Sequence, residues 1–592
     1  MNIDTIRHSL SHIMAYAVQE LYPGVKFGMG PAVENGFYYD FDFSKIKVQI
    51  PNKIQSPNSK ITNENLAEIE AKMRELLKQN LKFAKKNISK PAAKKLFKDQ
   101  PYKLDLIKEL PGKTVSVYQS GNFVDLCKGP HVKSTKNIPA EGFKLLKIAG
   151  AYWKGDEKNK MLTRIYGLAF NAKKELDDCL KLQQEAEKRD HRILGEKLGL
   201  FIFSDLVGKG LPLFTEKGAA IRRELERLVV DEEIKRGYKH VCTPDLAKVD
   251  LYKKSGHYPY YKDSMYPVMK IDEDELILRP MTCPHHYQLY LAKPRSYREL
   301  PFRIAELAKQ FRYEKSGELT GLIRVRSFCL ADSHIICAKE DAYKEISSVL
   351  DLIKYMAGIF GLKPNIDYRY RLSLGDKKDP KKYCKNDKAW SFAENALRRV
   401  LENRKEPFFE AKKEAAFYGP KIDIQMKNFA GKEDTAFTVQ YDFVAPKRFE
   451  LNFINSKGKK EEAIVIHRSS IGCIERIMAF LIEKYAGAFP VWLSPVQVAL
   501  IPISQKHEEY AKEAAKKLGA EGIRYETMYE SETLGKKIRG AETQKIPYIL
   551  VVGDKEIETN SLAVRKRGKN NIEAMGLDDF VRRIKKEIES KQ

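Results

Sequence analysis

The stretch from Pro301 to Cys337, PFRIAELAKQFRYEKSGELTGLIRVRSFCLADSHIIC, constrains the chain most. It reads as two strands around a polar loop. Arg303 to Glu306 open the first strand and Arg312 to Glu314 close it. Lys315 to Thr320 is turn chemistry with Ser316-Gly317 at the bend, and Leu322 to Phe328 alternates apolar and basic, as a half-buried strand does. A hairpin that fixes an arginine suits an α-phosphate, because the planar guanidinium pairs two hydrogen bonds with phosphate oxygens. Surface hairpins with solvated charges are also common, so the hairpin alone leaves both readings open.

A chain of 592 residues has room for about three or four domains. It has no apolar run near the roughly 20 residues that span a bilayer. Its start, MNIDTIRHSLSHIM, lacks the basic-then-apolar order of a signal peptide, so a cytoplasmic protein with no membrane contact is expected. The cysteines are scattered and do not form a disulfide framework. A formal charge of +26 favours a polyanionic partner, nucleic acid foremost, although a lysine-rich surface that only solvates the protein has the same composition.

Residues 1–170 read as one α/β domain. Thr5 to Leu21 is an amphipathic helix with Ile6, Leu10, Ile13, Met14 and Val18 as its buried stripe, and His8 and His12, four apart, share a face. Far downstream, DLCKGPHV carries Cys127 and His131. Together these four residues could form a tetrahedral metal site or a hydrolytic pocket with histidine general bases; the residues leave both open. The polar stretch Ser44 to Asn65 reads as a loop or insertion. Residues 171–199 read as one charged connecting helix, a solvated spacer without chemistry. Then come a helix at Gly218 to Gly237, a strand at Tyr238 to Pro244, a strand and helix in Gly361 to Gly375 and Asn386 to Arg404, a strand at Phe437 to Asp442, and a strand end, Gly turn and helix at His467 to Tyr485. In the last part, VQVALIPIS and PYILVVG read as buried parallel strands with helices at His507 to Leu518 and Thr533 to Thr543, which predicts a small parallel sheet.

FRxAE followed by FRxE, a loop and RVRxF resembles motif 2 of the class II aminoacyl-tRNA synthetases. The continuation through Asp332, His334 and Cys337 is most similar to the threonyl-tRNA synthetases, and the match extends along nearly the whole chain. The resemblance implies a multidomain α/β and α+β fold: an N-terminal α/β editing domain at 1–170, a linker helix at 171–199, a class II antiparallel-sheet catalytic domain at 200–492 and a C-terminal α/β anticodon-binding domain at 494–592. Bacterial members usually carry a small ubiquitin-like domain first; this sequence begins at the editing helix, so that module is expected to be absent.

The resemblance also implies roles. Arg312, Lys421 and Arg476 would be catalytic; Arg312, Arg324, Glu314 and Arg476 would bind ATP, with Mg²⁺; Asp332, Tyr418, Gln440 and Arg324 would contact substrate. Cys283, His334 and His467 would hold one Zn²⁺ per subunit with a fourth position open for the amino acid, while the neighbouring His285 and His286 do not match the ligand positions. An apolar pocket separates near-isosteres such as threonine and valine by only about a hundredfold, so a metal that takes both the amino group and the hydroxyl excludes valine but still admits serine. Hence the second pocket: HSLSH with DLCKGPHV resembles the family's editing site, where His8, His12, Cys127 and His131, with Asp125 and Lys103, would hydrolyse seryl-tRNA(Thr). Arg539, Glu556 and Arg565 would contact anticodon bases, with Arg567 and Lys569 adding charge for the backbone. The helix, strand and proline at 218–244 resemble motif 1 and imply a homodimer. The expected activity is ATP-dependent activation of L-threonine, its transfer to tRNA(Thr) and clearance of mischarged serine. Three positions depart from the family pattern: Leu330 stands for a Gln, Asp434-Thr435 for Trp-Gln, and Cys473 for a Ser. They leave open two narrower readings, an editing-only esterase and a non-catalytic RNA-binding paralogue.

Overall fold

The architecture comes from a computed structural model that describes residues 2–44, 46, 61–376, 378–380, 382–429 and 431–591. Most of the stretch expected to be a loop at Ser44 to Asn65, namely 45 and 47–60, lies outside the described residues. The chain divides into two compact units, Met1–Gln184 and Glu185–Gln592. Among the described residues no helix is long and apolar enough to cross a membrane.

In the first unit, helix α1 (Ile3–Leu21) starts where the Asn2 side chain accepts the Asp4 N–H at 2.9 Å, satisfying one of the helix's open donors. Its stripe of Ile6, Leu10, Ile13, Met14 and Val18 packs with Phe37, Tyr39, Phe41 and Ile165 of an antiparallel sheet. The elements follow as β1 (Gly36–Asp42), α2 (Asn65–Lys78), β2 (Ala84–Ser89), α3 (Pro101–Glu109), β3 (Thr114–Ser120), β4 (Phe123–Leu126), β5 (Phe143–Tyr152) and β6 (Met161–Ala169). Strands β1, β6 and β5 pair in that order in one sheet, and β2, β3 and β4 form a second.

Helix α4 (Lys173–Arg189) crosses the boundary between the units, and α5 (His191–Lys197) follows Asp190, whose side chain caps it by accepting the Arg192 N–H. The expected single solvated spacer is therefore corrected. It is two helices, and His191 is only 2% exposed because its ring is packed into the second unit.

The second unit is built on α6 (Glu216–Lys235), β7 (Lys239–His240), α7 (Cys283–Leu291), β8 (Phe302–Phe311), β9 (Ser327–Cys337), α8 (Ala342–Ile359), β10 (Tyr368–Leu374), α9 (Asp387–Asn403), β11 (Phe408–Lys412), β12 (Lys421–Lys427), β13 (Glu433–Asp442), β14 (Ile464–Cys473) and α10 (Ile474–Tyr485). Eight strands form one sheet in the order β7-β8-β9-β14-β13-β12-β10-β11. The six inner strands are antiparallel and each edge adds a parallel pair. Helices α8 and α10 bury Ile346, Val349, Ile353, Ile477 and Leu481 against this sheet. The hairpin is β8 and β9, but Leu322 to Arg326 is loop and turn: β9 starts at Ser327. The alternation there does not build a strand, because Leu322 and Val325 bury separately while Arg324 and Arg326 bind groups of the loop itself.

The C-terminal part carries β15 (Val498–Pro502), α11 (Glu508–Ala520), β16 (Tyr525–Thr527), α12 (Leu534–Thr543), β17 (Tyr548–Val552), β18 (Leu562–Lys566), β19 (Ile572–Met575) and α13 (Leu577–Ser590). The sheet order is β16-β15-β17-β18-β19. The first three strands are parallel as expected, whereas β18 and β19 add antiparallel, so the sheet is mixed. Apolar clusters bury both faces of β15 and β17, which explains their continuous apolar sequence.

Candidate active site

Register alone assembles much of the site. On β9, β14, β13 and β12, His334, His467, Gln440 and Lys421 are direct cross-strand partners, and so form one row across the sheet. The next row in the same direction is Asp332, Ser469, Thr438 and Asp423. Side chains two residues apart on a strand share a face, so both rows face the same cleft. That cleft has a volume of about 270 Å³. It is also lined by Cys283, at the start of α7, and by Arg312, Arg324 and Arg476.

At one end Cys283, His334 and His467 are all buried, with a donor atom of each within 4.8 Å of the others. His467 turns Nε2 to the Asp442 carboxylate at 2.9 Å. His334 Nδ1 faces His286 Nδ1 at 2.8 Å, and His286 Nε2 meets Glu306 Oε2 at 3.1 Å. His286 is therefore the ring behind a ligand position, while His334 Nε2 is buried without a hydrogen-bond partner. Burial, reinforced by Asp332 and Asp442, pushes the Cys283 thiol well above its ordinary value. Burial also holds the His334 imidazole neutral. A sulfur and two ring nitrogens, one of them orphaned, beside two carboxylates make a donor set that a Zn²⁺ ion fits, with each histidine backed by an outer partner. Asp332 accepts from Gln310 Nε2 at 3.2 Å, and Tyr418 donates to Gln440 Oε1 at 2.5 Å.

The other end is cationic. Desolvation, then repulsion from Arg476, pushes the Arg312 guanidinium down from its ordinary value. Two arginines held in one cleft at mutual cost are relieved by an anion. Arg476 is fixed by main-chain acceptors, Ile323 O at 3.1 Å and Thr435 O at 2.7 Å, and Arg324 pairs with Glu314 at 3.2 Å. The three departures, Leu330, Thr435 and Cys473, all line this cleft. Thr435 holds Arg476 through its carbonyl, so the changed side chain spares that anchor. Gly472 has φ of 72°, and a Cβ there would stand 2.1 Å from the Ala436 carbonyl oxygen; glycine is required by strand β13.

In the first unit, α1 and the turn after β4 bring His8, His12, Cys127 and His131 together, again with donor atoms within 4.8 Å. Cys127 Sγ lies 3.3 Å from His8 Nε2 and 3.2 Å from His131 Nε2. Lys103 on α3 joins them: its ammonium meets Asp125 at 2.5 Å and the Tyr39 hydroxyl at 2.9 Å, and Tyr39 in turn donates to Asp125. Burial pushes the Cys127 thiol up to about 11, and burial beside the other histidines pushes His131 and His12 well below the ordinary imidazole value. The site thus offers neutral rings, a neutral thiol and one buried charge pair. Sequence reasoning missed Tyr39 on β1 and Ser9, whose hydroxyl meets His131 Nδ1 at 3.2 Å and which lies inside the segment HSLSH. It also missed Gln310, Asp442 and Glu306, whose partners Asp332, His467 and His286 come from neighbouring strands and from α7.

In the C-terminal part Arg539 is exposed, and Arg565 is half-buried with Glu542 at 3.9 Å. Glu556 caps its own helix through the Gly553 N–H at 2.9 Å. Arg567, expected to supply charge, instead donates to the carbonyls of Lys545, Ala488 and Phe489.

Comparison with known proteins agrees with this geometry. Residues 266–485 match the tRNA synthetase class II core domain (G, H, P, S and T), 497–587 the anticodon binding domain, and 115–166 the threonyl and alanyl tRNA synthetase second additional domain. A threonine–tRNA ligase of Geobacillus sp. (strain WCH70) is 48% identical over 590 residues, 99% of this chain and 89% of that protein. One from Clostridium botulinum (strain Eklund 17B / Type B) is 47% identical over 592 residues, 100% of this chain and 89% of that protein. Among solved structures, the RNA binding domain of threonyl-tRNA synthetase from Cryptosporidium parvum Iowa II aligns with TM-score 0.64 at 34% identity, covering 67% of this chain and 98% of that one. The putative threonyl-tRNA synthetase ThrRS-1 from Aeropyrum pernix aligns with TM-score 0.61 at 30% identity, covering 68% and 97%. The chain belongs to the threonine–tRNA ligase family.

Proposed function

We propose that this protein joins L-threonine to tRNA(Thr) and hydrolyses seryl-tRNA(Thr) made in error. The observation that carries the first part is the single cleft with an N/S donor triad at one end and two arginines at the other. The threonine carboxylate attacks the α-phosphorus of ATP, and pyrophosphate leaves. Arg312 and Arg476 neutralise the phosphate oxygens in a site already arranged for charge, with Lys421 beside them. Arg324 and Glu314 hold the nucleotide side, while Asp332, Tyr418 and Gln440 orient the amino acid. Cys283, His334 and His467 would hold a Zn²⁺ ion, which when bound supplies a Lewis acid with an open position for the amino acid. Mg²⁺ accompanies ATP. The terminal ribose hydroxyl of the tRNA then attacks the adenylate carbonyl and AMP leaves.

For the second part, water attacks the seryl ester in the pocket of His8, His12, Cys127 and His131, where neutral histidines act as general bases and the Lys103–Asp125 pair polarises the wall. The division 1–170, 171–199, 200–492 and 494–592, anticodon contacts through Arg539, Glu556 and Arg565, and a cytoplasmic location belong to the same reading. The free thiols of all eight cysteines suit a reducing compartment. Exposed Ile202, Phe203, Leu206, Val207 and Leu213, close in sequence to α6, support a homodimer. The match over 99% of the chain does not favour an editing-only or non-catalytic protein.

The test is threonine-dependent ATP–pyrophosphate exchange, with valine and serine beside threonine and with a zinc chelator. Exchange that needs zinc, accepts threonine, tolerates serine and refuses valine supports the reading. Folded, zinc-loaded protein without exchange sinks it.

A further inference from the structure

The connecting stretch that looked like a spacer holds a buried histidine with two committed ring nitrogens. His191, at the start of α5, puts Nδ1 2.8 Å from Glu483 Oε1 on α10, and Nε2 receives the Leu322 N–H at 3.2 Å. A carboxylate can only accept, so Nδ1 carries the proton, and a main-chain N–H can only donate, so Nε2 is the bare nitrogen. Three segments distant in sequence therefore meet on one neutral ring.

The contact falls at the base of the loop that supplies the cleft wall. Leu322 is fully buried; the next carbonyl, Ile323 O, accepts from Arg476; and the next side chain is Arg324, in the cleft. The short run between β8 and β9 is thus gripped by His191 on its donor side and Arg476 on its acceptor side. Gly321 makes the grip possible. Its φ is 48°, and a Cβ there would stand 2.2 Å from His191 Nε2, so any side chain would displace the ring.

We propose that His191 is a positioning residue that sets the conformation of the loop at 320–326, and through it the placement of Arg324 and Arg476 toward ATP. The inference rests on the reading of the cleft as an adenylation site. The variants separate the two nitrogens: in His191→Asn the amide can replace Nδ1 toward Glu483 but leaves Leu322 N–H without an acceptor, whereas in His191→Gln the amide oxygen can replace Nε2. Gly321→Ala displaces the ring from the loop side with the histidine intact.

The experiment measures KM for ATP and for threonine by pyrophosphate exchange, and amide hydrogen exchange of a peptide spanning residues 320–326, in all three variants and wild type. Losing one hydrogen bond that holds a ligand-binding loop is expected to raise the ATP KM about five- to tenfold in His191→Asn and Gly321→Ala. His191→Gln should stay within about twofold, with the threonine KM little changed throughout. The loop peptide should exchange faster in the first two and not in the third. Equal behaviour of the Asn and Gln variants, or a wild-type ATP KM in Gly321→Ala, overturns the proposal. If wild type exchanges no pyrophosphate, the adenylation reading fails instead. The amide-exchange arm then still decides the grip, with faster exchange supporting it and unchanged exchange refuting it.

Discussion

The two pockets use the same residue types and treat them oppositely. In the cleft of the second unit, His467 meets the Asp442 carboxylate directly, and His334 faces His286, which meets Glu306. Among the described residues, no histidine in the pocket of the first unit has a carboxylate within hydrogen-bond distance. His12 is 3.8 Å from Asp125, whose oxygens are taken by Lys103 and Tyr39, while His8 and His131 meet the Pro130 carbonyl and the Ser9 hydroxyl. A carboxylate behind an imidazole fixes its tautomer and raises its basicity, the outer arrangement of a metal ligand. Without one, the ring is oriented only by a neutral carbonyl or hydroxyl, and no carboxylate commits it as a ligand, which leaves a ring nitrogen free to accept a proton from water. The donor sets alone would not separate them; their outer partners do.

The comparison breaks most visibly if the pockets are not independent. Cys283→Ala is expected to reduce threonine-dependent pyrophosphate exchange by a factor on the order of a thousand or more, because the donor triad loses its sulfur. Deacylation of seryl-tRNA supplied ready-made should stay within about twofold of wild type, since no residue of that pocket has changed. Both assays run on the same preparation, and parallel loss of both activities would refute the separation.

A smaller effect sharpens the claim about outer partners. Asp442→Asn keeps the shape around His467 but removes the negative charge at 2.9 Å. Zinc affinity, read by competition with a chromophoric chelator, is expected to fall about 10- to 100-fold. An unchanged affinity would mean that Asp442 serves only the strand.

Why the sequence showed some of this and not the rest follows from how each part is held. The hairpin was legible because its loop, Lys315 to Thr320, is rich in turn residues. The start of β9 was misplaced because the Leu322–Arg326 alternation serves a loop whose apolar residues bury without pairing. The C-terminal strands β15 and β17 were legible because both faces are buried; β18 and β19 were not, since Glu573 and Arg565 give them the polarity of an exposed edge. His191 was hidden by its surroundings: Glu187, Lys188, Arg189 and Arg192 make a solvated pattern, and only the fold turns one ring inward. Asp442 and Glu306 sit on strands as ordinary acidic residues, and their role exists only through His467 on the next strand and His286 on α7.

The smallest expected effect tests the first pocket by pH. An ordinary imidazole titrates near about 6.5, so a general base of that kind would lose about fourfold in its active form between pH 7.5 and pH 6.0. Burial lowers His8, and holds His12 and His131 well below the ordinary value, with the neighbouring rings adding to the effect. A lowered value means the base stays unprotonated as the pH falls, so activity is kept on the acid side and lost only below the shifted value. Enzymatic deacylation of seryl-tRNA, corrected for spontaneous ester hydrolysis, is therefore expected to change by less than about twofold between pH 7.5 and pH 6.0. A fourfold fall centred near pH 6.5 would show a base that titrates as if solvated, and would refute burial as the control on this pocket's histidines.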